Sequence, residues 1–99
     1  MTTLLLNERQ TQKGLLVSVC DADVLGETFE NGEVSLTVDA DFYDGEEVDG
    51  DTAVESLARC SVANIVGSHA VELAIENGFV DEENVLDFEG TRHAQLLWL

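Results

Sequence analysis

Between Thr52 and Asn77 the apolar residues Val54, Leu57, Ala58, Val62, Ile65, Val66, Ala70, Leu73 and Ala74 recur at steps of three and four, the spacing of one helix face. An unbroken helix there would run to about 39 Å at a rise of 1.5 Å per residue, too long to lie straight in a domain with an expected radius of gyration of about 13 Å. The periodicity therefore predicts helical structure broken at Gly67-Ser68, with Gly67 as the left-handed cap of the first segment and Ser68 as the N-cap of the second. Ser61 offers another interruption, and Asn77-Gly78 ends the last helix.

The flanks read as strands. Thr3 to Leu6 and Leu15 to Cys20 are short apolar stretches separated by the polar Asn7 to Lys13, with Gly14 at its end, which predicts a hairpin. Both faces of the second stretch are largely apolar, so it belongs in the middle of a sheet. Cys20 to Gly26 reads as one helical turn with Asp21 as N-cap and Gly26 as terminator, and Val34, Leu36 and Val38 alternate with Ser35 and Thr37 as a half-buried strand. Val85 to Glu89 and His93 to Leu99 read as two strands joined at Gly90. The expected fold is α+β: one domain over residues 1–99, with a mixed or antiparallel sheet from N- and C-terminal strands packed on a central helical layer.

Charge bears on habitat more than on fold. The chain carries 21 Asp and Glu against 4 Lys and Arg, a formal charge of −17 on 99 residues, yet 44% of its residues are hydrophobic. That content separates it from disordered acidic chains. At molar salt the Debye length falls to about 3 Å, so the surplus is expected in a halophilic protein of a salt-rich cytoplasm. Cys20 and Cys60, forty positions apart in a chain whose opening segment lacks a basic, long-apolar leader, are expected as reduced cytosolic thiols. No apolar run is long enough for a membrane span.

Three chemical constellations can be weighed by spacing. The acidic run Asp39 to Asp51 fails the register of a calcium loop, because Tyr43, Asp44 and Gly50 stand where an oxygen ligand, a glycine and a glutamate are required. It reads as a solvated connection leading into a helix N-terminus. Cys20, Cys60, His69 and His93 are zinc-ligand types without the close pairs that structural zinc sites use, so no metal or cofactor is expected. Cys20, at a strand end before a helical turn, is a candidate nucleophile with His93 as base and Asn64 as orienting amide. Asp21 beside it opposes thiolate formation, and a strand cysteine is ordinarily a small core hydrophobe. Arg9, Lys13, Arg59 and Arg92 form no basic stripe, which argues against DNA. The remaining polar candidates are Asn64, Gly67 and Ser68 at the helix break and Arg92, His93 and Gln95 on the last hairpin, whose plainer reading is caps and turns.

Taken together, five stretches resemble an archaeal family of small proteins, domain-of-unknown-function family 424. They are Val17 to Asp21 with Leu25-Gly26 and Phe29; Phe42-Tyr43 with Gly45; Ala63 to Gly67 followed by Ala70 to Ala74; Gly78 to Val85; and His93-Ala94-Gln95. The resemblance implies a single archaeal, cytoplasmic α+β domain and carries no activity, substrate or cofactor with it. The chain departs from the family pattern at Thr91-Arg92, where an apolar residue and proline are usual, which loosens the turn before His93.

The reading is a non-catalytic interaction module whose contact residues are Asn64, Gly67, Ser68, Arg92, His93 and Gln95, with a protein or RNA partner and an association with RNA or the translation apparatus. The rival is a small thiol enzyme using Cys20, His93 and Asn64. Oligomeric state is left open.

Overall fold

In the computed structural model, which describes residues 3–97, the chain opens with the hairpin β1 (Leu4–Thr11) and β2 (Gly14–Asp21). A 3-10 turn at Ala22–Val24 leads to a two-stranded ribbon, β3 (Thr28–Asn31) and β4 (Val34–Thr37), then to α1 (Ala40–Tyr43), β5 (Glu46–Val48), α2 (Gly50–Arg59) and β6 (Val62–Val66). The chain continues through α3 (Ser68–Glu76), a 3-10 turn at Glu82–Asn84, β7 (Leu86–Phe88) and β8 (Thr91–Leu97). Six strands form one mixed sheet in the order β5-β1-β2-β6-β8-β7, with β2 and β6 as its parallel centre and every other pairing antiparallel. The Cα radius of gyration is 12.3 Å.

This is the expected α+β domain with β2 inside the sheet, but three expectations are corrected. The stretch between Arg59 and Ser68 is the strand β6, not helix. Val62, Ile65 and Val66 fit a helical step, but in this strand between β2 and β8 Ala63 and Ile65 are buried on one face while Val62 and Val66 put apolar residues on the other, so polar alternation is lost. The helix stops at Cys60 and restarts at Ser68, so Gly67 stands at the N-cap position of α3, with φ 115°, and Ser68 is the first helical residue. The polar stretch from Asn7, expected as connection, continues β1 as far as Thr11. Thr11↔Gly14 is the last pair of the ladder, closed by Thr11 Oγ1 donating to the Gly14 carbonyl at 2.7 Å.

The sheet has a core on each face. One packs Leu4, Val17, Val19, Ala63, Ile65, Ala94 and Leu96 against Ala53 and Leu57 of α2 and Ala70, Val71 and Ala74 of α3. The opposite face packs Leu5, Cys20 and Val66 under Val24, Val38 and Tyr43. The ribbon lies over this second core only in part. Leu36 is partly buried, Val38 beyond it is fully buried, and Val34 is exposed. Asp49 caps α2 by accepting from the Thr52 amide at 2.8 Å, so the acidic run does feed a helix start. The two cysteines lie in different cores, Cys20 in one and Cys60 in the other. Among the described residues no helix is long and apolar enough to cross a membrane. Trp98 and Leu99, the end of the expected strand His93 to Leu99, lie outside the described residues.

Candidate functional site

The ladder registers place side chains in rows across the sheet. On the face away from α2 and α3, Leu5, Cys20, Val66, His93 and Leu86 share one row. Asn7, Ser18, Asn64 and Gln95 form the next, and Arg9, Leu16, Val62 and Leu97 the third. The first row belongs to the second core at Leu5, Cys20 and Val66, His93 is partly buried, and Leu86 at its end is exposed. The second is polar throughout: Gln95 Nε2 donates to Asn64 Oδ1 at 2.9 Å, and Asn7 Nδ2 donates to the Asp44 carbonyl at 2.8 Å. The third ends at an open sheet surface, where Leu97 is 61% exposed and Leu16 and Val62 are partly buried. At the far end of that row the Arg9 guanidinium lies 5.3 Å from the Phe42 ring centroid and donates to the Asp41 carbonyl.

The six residues expected to make one contact surface are therefore distributed over three places. Asn64, His93 and Gln95 share this face. Arg92 alternates with His93 along β8 and points to the other side, where its Nε bonds Asp87 Oδ1 at 3.0 Å and its terminal nitrogen lies 3.6 Å from Glu82. Gly67 and Ser68 lie at the end of β6, Gly67 buried and Ser68 exposed, and the Gly67 amide donates to the Arg92 carbonyl at 2.9 Å.

Cys20 and His93 fall in one row, but Val66 stands between them as the ladder partner of both. Cys20 is fully buried, and burial, helped by the nearby charges of Asp21, Asp44 and Asp23, pushes its thiol up to about 12. Burial likewise lowers the His93 imidazole below its ordinary value. A thiol in that range holds roughly a thousandfold less thiolate at neutral pH than an ordinary cysteine. Folded protein treated with iodoacetamide at neutral pH should thus label at Cys20 at least about a hundredfold more slowly than glutathione. Labelling at the glutathione rate would return Cys20 to the list of nucleophiles.

A second cleft opens at the carboxyl ends of the parallel β2 and β6, lined among others by Asp21, Asp23, His69, Glu72 and Thr91. Such strand ends, with a helix N-terminus behind them, are where open α/β sheets hold anionic ligands. Here the anion is internal. Asp21, 5% exposed, accepts from the His69 amide at 3.1 Å and from the Ala70 amide at 2.9 Å, capping α3 from a residue 48 positions away. Burial raises its carboxyl above the usual range, and the two amide bonds work against that rise. Asp21 was expected to cap its own 3-10 turn; it makes no side-chain bond there. Thr91 Oγ1, on the wall of this cleft, is buried without a hydrogen-bond partner. Asp21 was the residue that reasoning from sequence missed. The signal available was an aspartate at the end of an apolar central strand, where a carboxylate needs hydrogen-bond donors.

A sequence model of the family described as "Protein of unknown function (DUF424)" matches residues 8–99. Among solved structures the chain is similar to that titled "Crystal structure of an uncharacterized conserved protein from Methanopyrus kandleri". The two share 22% identity with a TM-score of 0.78, over 98% of this chain and 95% of that one. At that identity the likeness establishes a shared fold. No curated protein matches the sequence.

Proposed function

The chain belongs to the DUF424 family, and from that premise we propose that it is a non-catalytic interaction module that binds a protein partner through the open part of its sheet. The observation that carries this reading is the uncovered row Leu16, Val62 and Leu97, bordered by the Asn64–Gln95 amide pair. An aliphatic strip flanked by hydrogen-bonding amides suits a protein surface better than a phosphate backbone. The arginines favour the same choice. Arg59 is paired with Glu8 at 2.8 Å, Arg92 with Asp87, and Arg9 is held by Phe42 and the Asp41 carbonyl. Association with RNA or the translation apparatus would then be indirect, through a ribonucleoprotein, in a salt-rich archaeal cytoplasm. The thiol-enzyme alternative loses support because Cys20 is fully buried in the core formed with Val24, Val38 and Tyr43 and held protonated.

Affinity capture from native extract in molar potassium chloride, comparing the natural chain with Leu97→Glu, tests the reading. Leu97 is exposed, so the substitution should leave folding intact while reducing recovery of the true partner about tenfold. An identical set of proteins at undiminished yield with Leu97→Glu would remove this face from consideration. Recovery of bare RNA that survives protein digestion would favour direct nucleic-acid binding.

A further inference from the structure

We propose that the outer edge of β8 at Gln95 and Leu97 accepts an extended segment of a partner protein as an added strand, basic at its flanks and apolar opposite Leu97. The inference rests on the interaction-module reading and specifies its partner. It starts from ladder parity. The Gly67 amide donates to the Arg92 carbonyl, so by the alternation of an antiparallel pair Ala94 and Leu96 turn their main-chain groups toward β6. His93, Gln95 and Leu97 turn theirs outward. β7 meets only the first part of β8, ending with Leu86 opposite His93. Beyond that point, among the described residues, no strand lies beside the outward N–H and C=O groups of Gln95 and Leu97.

The other outer edges of this sheet are charged, short or covered: β1 beyond Leu6, where its pairing with β5 ends, carries Glu8 and Arg9. The outer strand β5 is three residues long and carries Glu46 and Glu47, the charged, abbreviated edge that resists pairing. The outer side of β7 is covered by the ribbon, through the Glu89 amide on the Glu30 carbonyl and Asn31 Nδ2 on the Asp87 carbonyl. The Gln95–Leu97 edge carries neither charge nor proline. It opens onto a cleft whose far wall is Phe79, Val80, Asp81 and Asn84. Main-chain donors and acceptors facing a cleft are recognised by another polypeptide backbone in extended form.

The occupant's side chains follow from its neighbours. A residue opposite Leu97 would lengthen the row Leu16, Val62, Leu97 by one position and is therefore apolar. Asp81, Glu82 and Glu83, all exposed beside the cleft, favour lysine or arginine at the flanks. A second copy of this chain is the poorer fit, since it brings −17 of its own and sets the two acidic corners against each other.

The test is a titration of the full-length nitrogen-15-labelled protein, in molar potassium chloride, with the synthetic peptide Lys-Lys-Val-Thr-Val-Lys-Lys, read by amide shifts and hydrogen exchange. Without peptide, Gln95 and Leu97 amides should exchange at least about a hundredfold faster than those of Ala94 and Leu96. Peptide should slow and shift both. Leu97→Pro removes one outward N–H while sparing the ladder to β6, and should weaken binding about tenfold; Leu97→Ala, which keeps that N–H, should stay within about threefold of the natural chain. Edge amides that ignore the peptide, or equal binding by Leu97→Pro, would overturn the proposal. So would protection of Gln95 and Leu97 that grows with protein concentration alone, which would make the occupant a second copy. If the edge amides ignore the peptide while Leu97→Glu still loses its captured partner, strand addition fails and the interaction-module reading stands.

Discussion

Gly67→Ala is expected to destabilise the protein by about 3 kcal/mol or more, a large fraction of the roughly 5–15 kcal/mol typical of a native domain. Two costs coincide at this position. The backbone sits at φ 115° and ψ 145°, a region that side chains rarely adopt. A Cβ there would also stand 2.4 Å from Asp21 Cγ and 2.6 Å from Asp21 Oδ2. Neither partner can step aside cheaply. Asp21 is anchored by the His69 and Ala70 amides, and Gly67 by its own amide on Arg92. Relief of the clash would uncap α3, at about 1 kcal/mol, and expose a buried carboxylate to incomplete hydrogen bonding. Gly26→Ala is the matched comparison, because Gly26 has φ 82° with nothing within 4 Å of its would-be Cβ. It should cost only the backbone term, about 1–2 kcal/mol. Urea unfolding in molar potassium chloride measures both. Equal losses for the two variants would show that the Gly67–Asp21 approach is not tight.

That junction also marks where sequence reasoning stops. The hairpin β1–β2, the central place of β2, the closing hairpin and the helix stop at Asn77-Gly78 follow from apolar runs and glycine punctuation, which are local signals. Ser61 and Gly67 were both legible as interruptions of an overlong helix. What they bracket was not, because β6 is five residues with Val62, Ile65 and Val66 at helical spacing and no face left polar enough to show period two. A strand with apolar residues on both faces looks like a buried helix until its length and β-branched content are weighed. Placement of the candidate site follows the same logic. Asn64 reads as part of a helix break and Gln95 as part of an exposed turn, and the antiparallel pairing of β6 with β8 brings them into one row and one hydrogen bond. Arg92 and His93 were grouped because they are adjacent, whereas adjacency in a strand puts them on opposite faces. The Asp21 cap joins residues 48 and 49 positions apart and leaves no local trace.

Transfer from molar to about 0.01 M potassium chloride is expected to lower the melting temperature by on the order of 10 °C or more. Twenty of the 21 carboxylates are exposed, the exception being Asp21, while the chain supplies only four Lys and Arg to offset them. At low ionic strength the screening length grows from about 3 Å to about 30 Å, which exceeds the radius of gyration, so nearly every exposed carboxylate then repels every other. The carboxylates with local work, Asp39 and Asp49 at helix starts and Glu8 between Ser56 and Arg59, have hydrogen-bond donors that offset part of their repulsion. The loss should therefore come mainly from the rest. Glu46 and Glu47, adjacent and exposed on the short edge strand, are the test pair. Replacing both with glutamine should raise the melting temperature in dilute buffer by several degrees and leave it nearly unchanged at molar salt, whereas a core or packing effect would be the same at both. Sucrose separates screening from solvent exclusion, since it strengthens burial without shielding charge. If sucrose in dilute buffer restores the full melting temperature, or if the glutamine pair gives equal gains at both salts, the acidic surface is not balanced by screening.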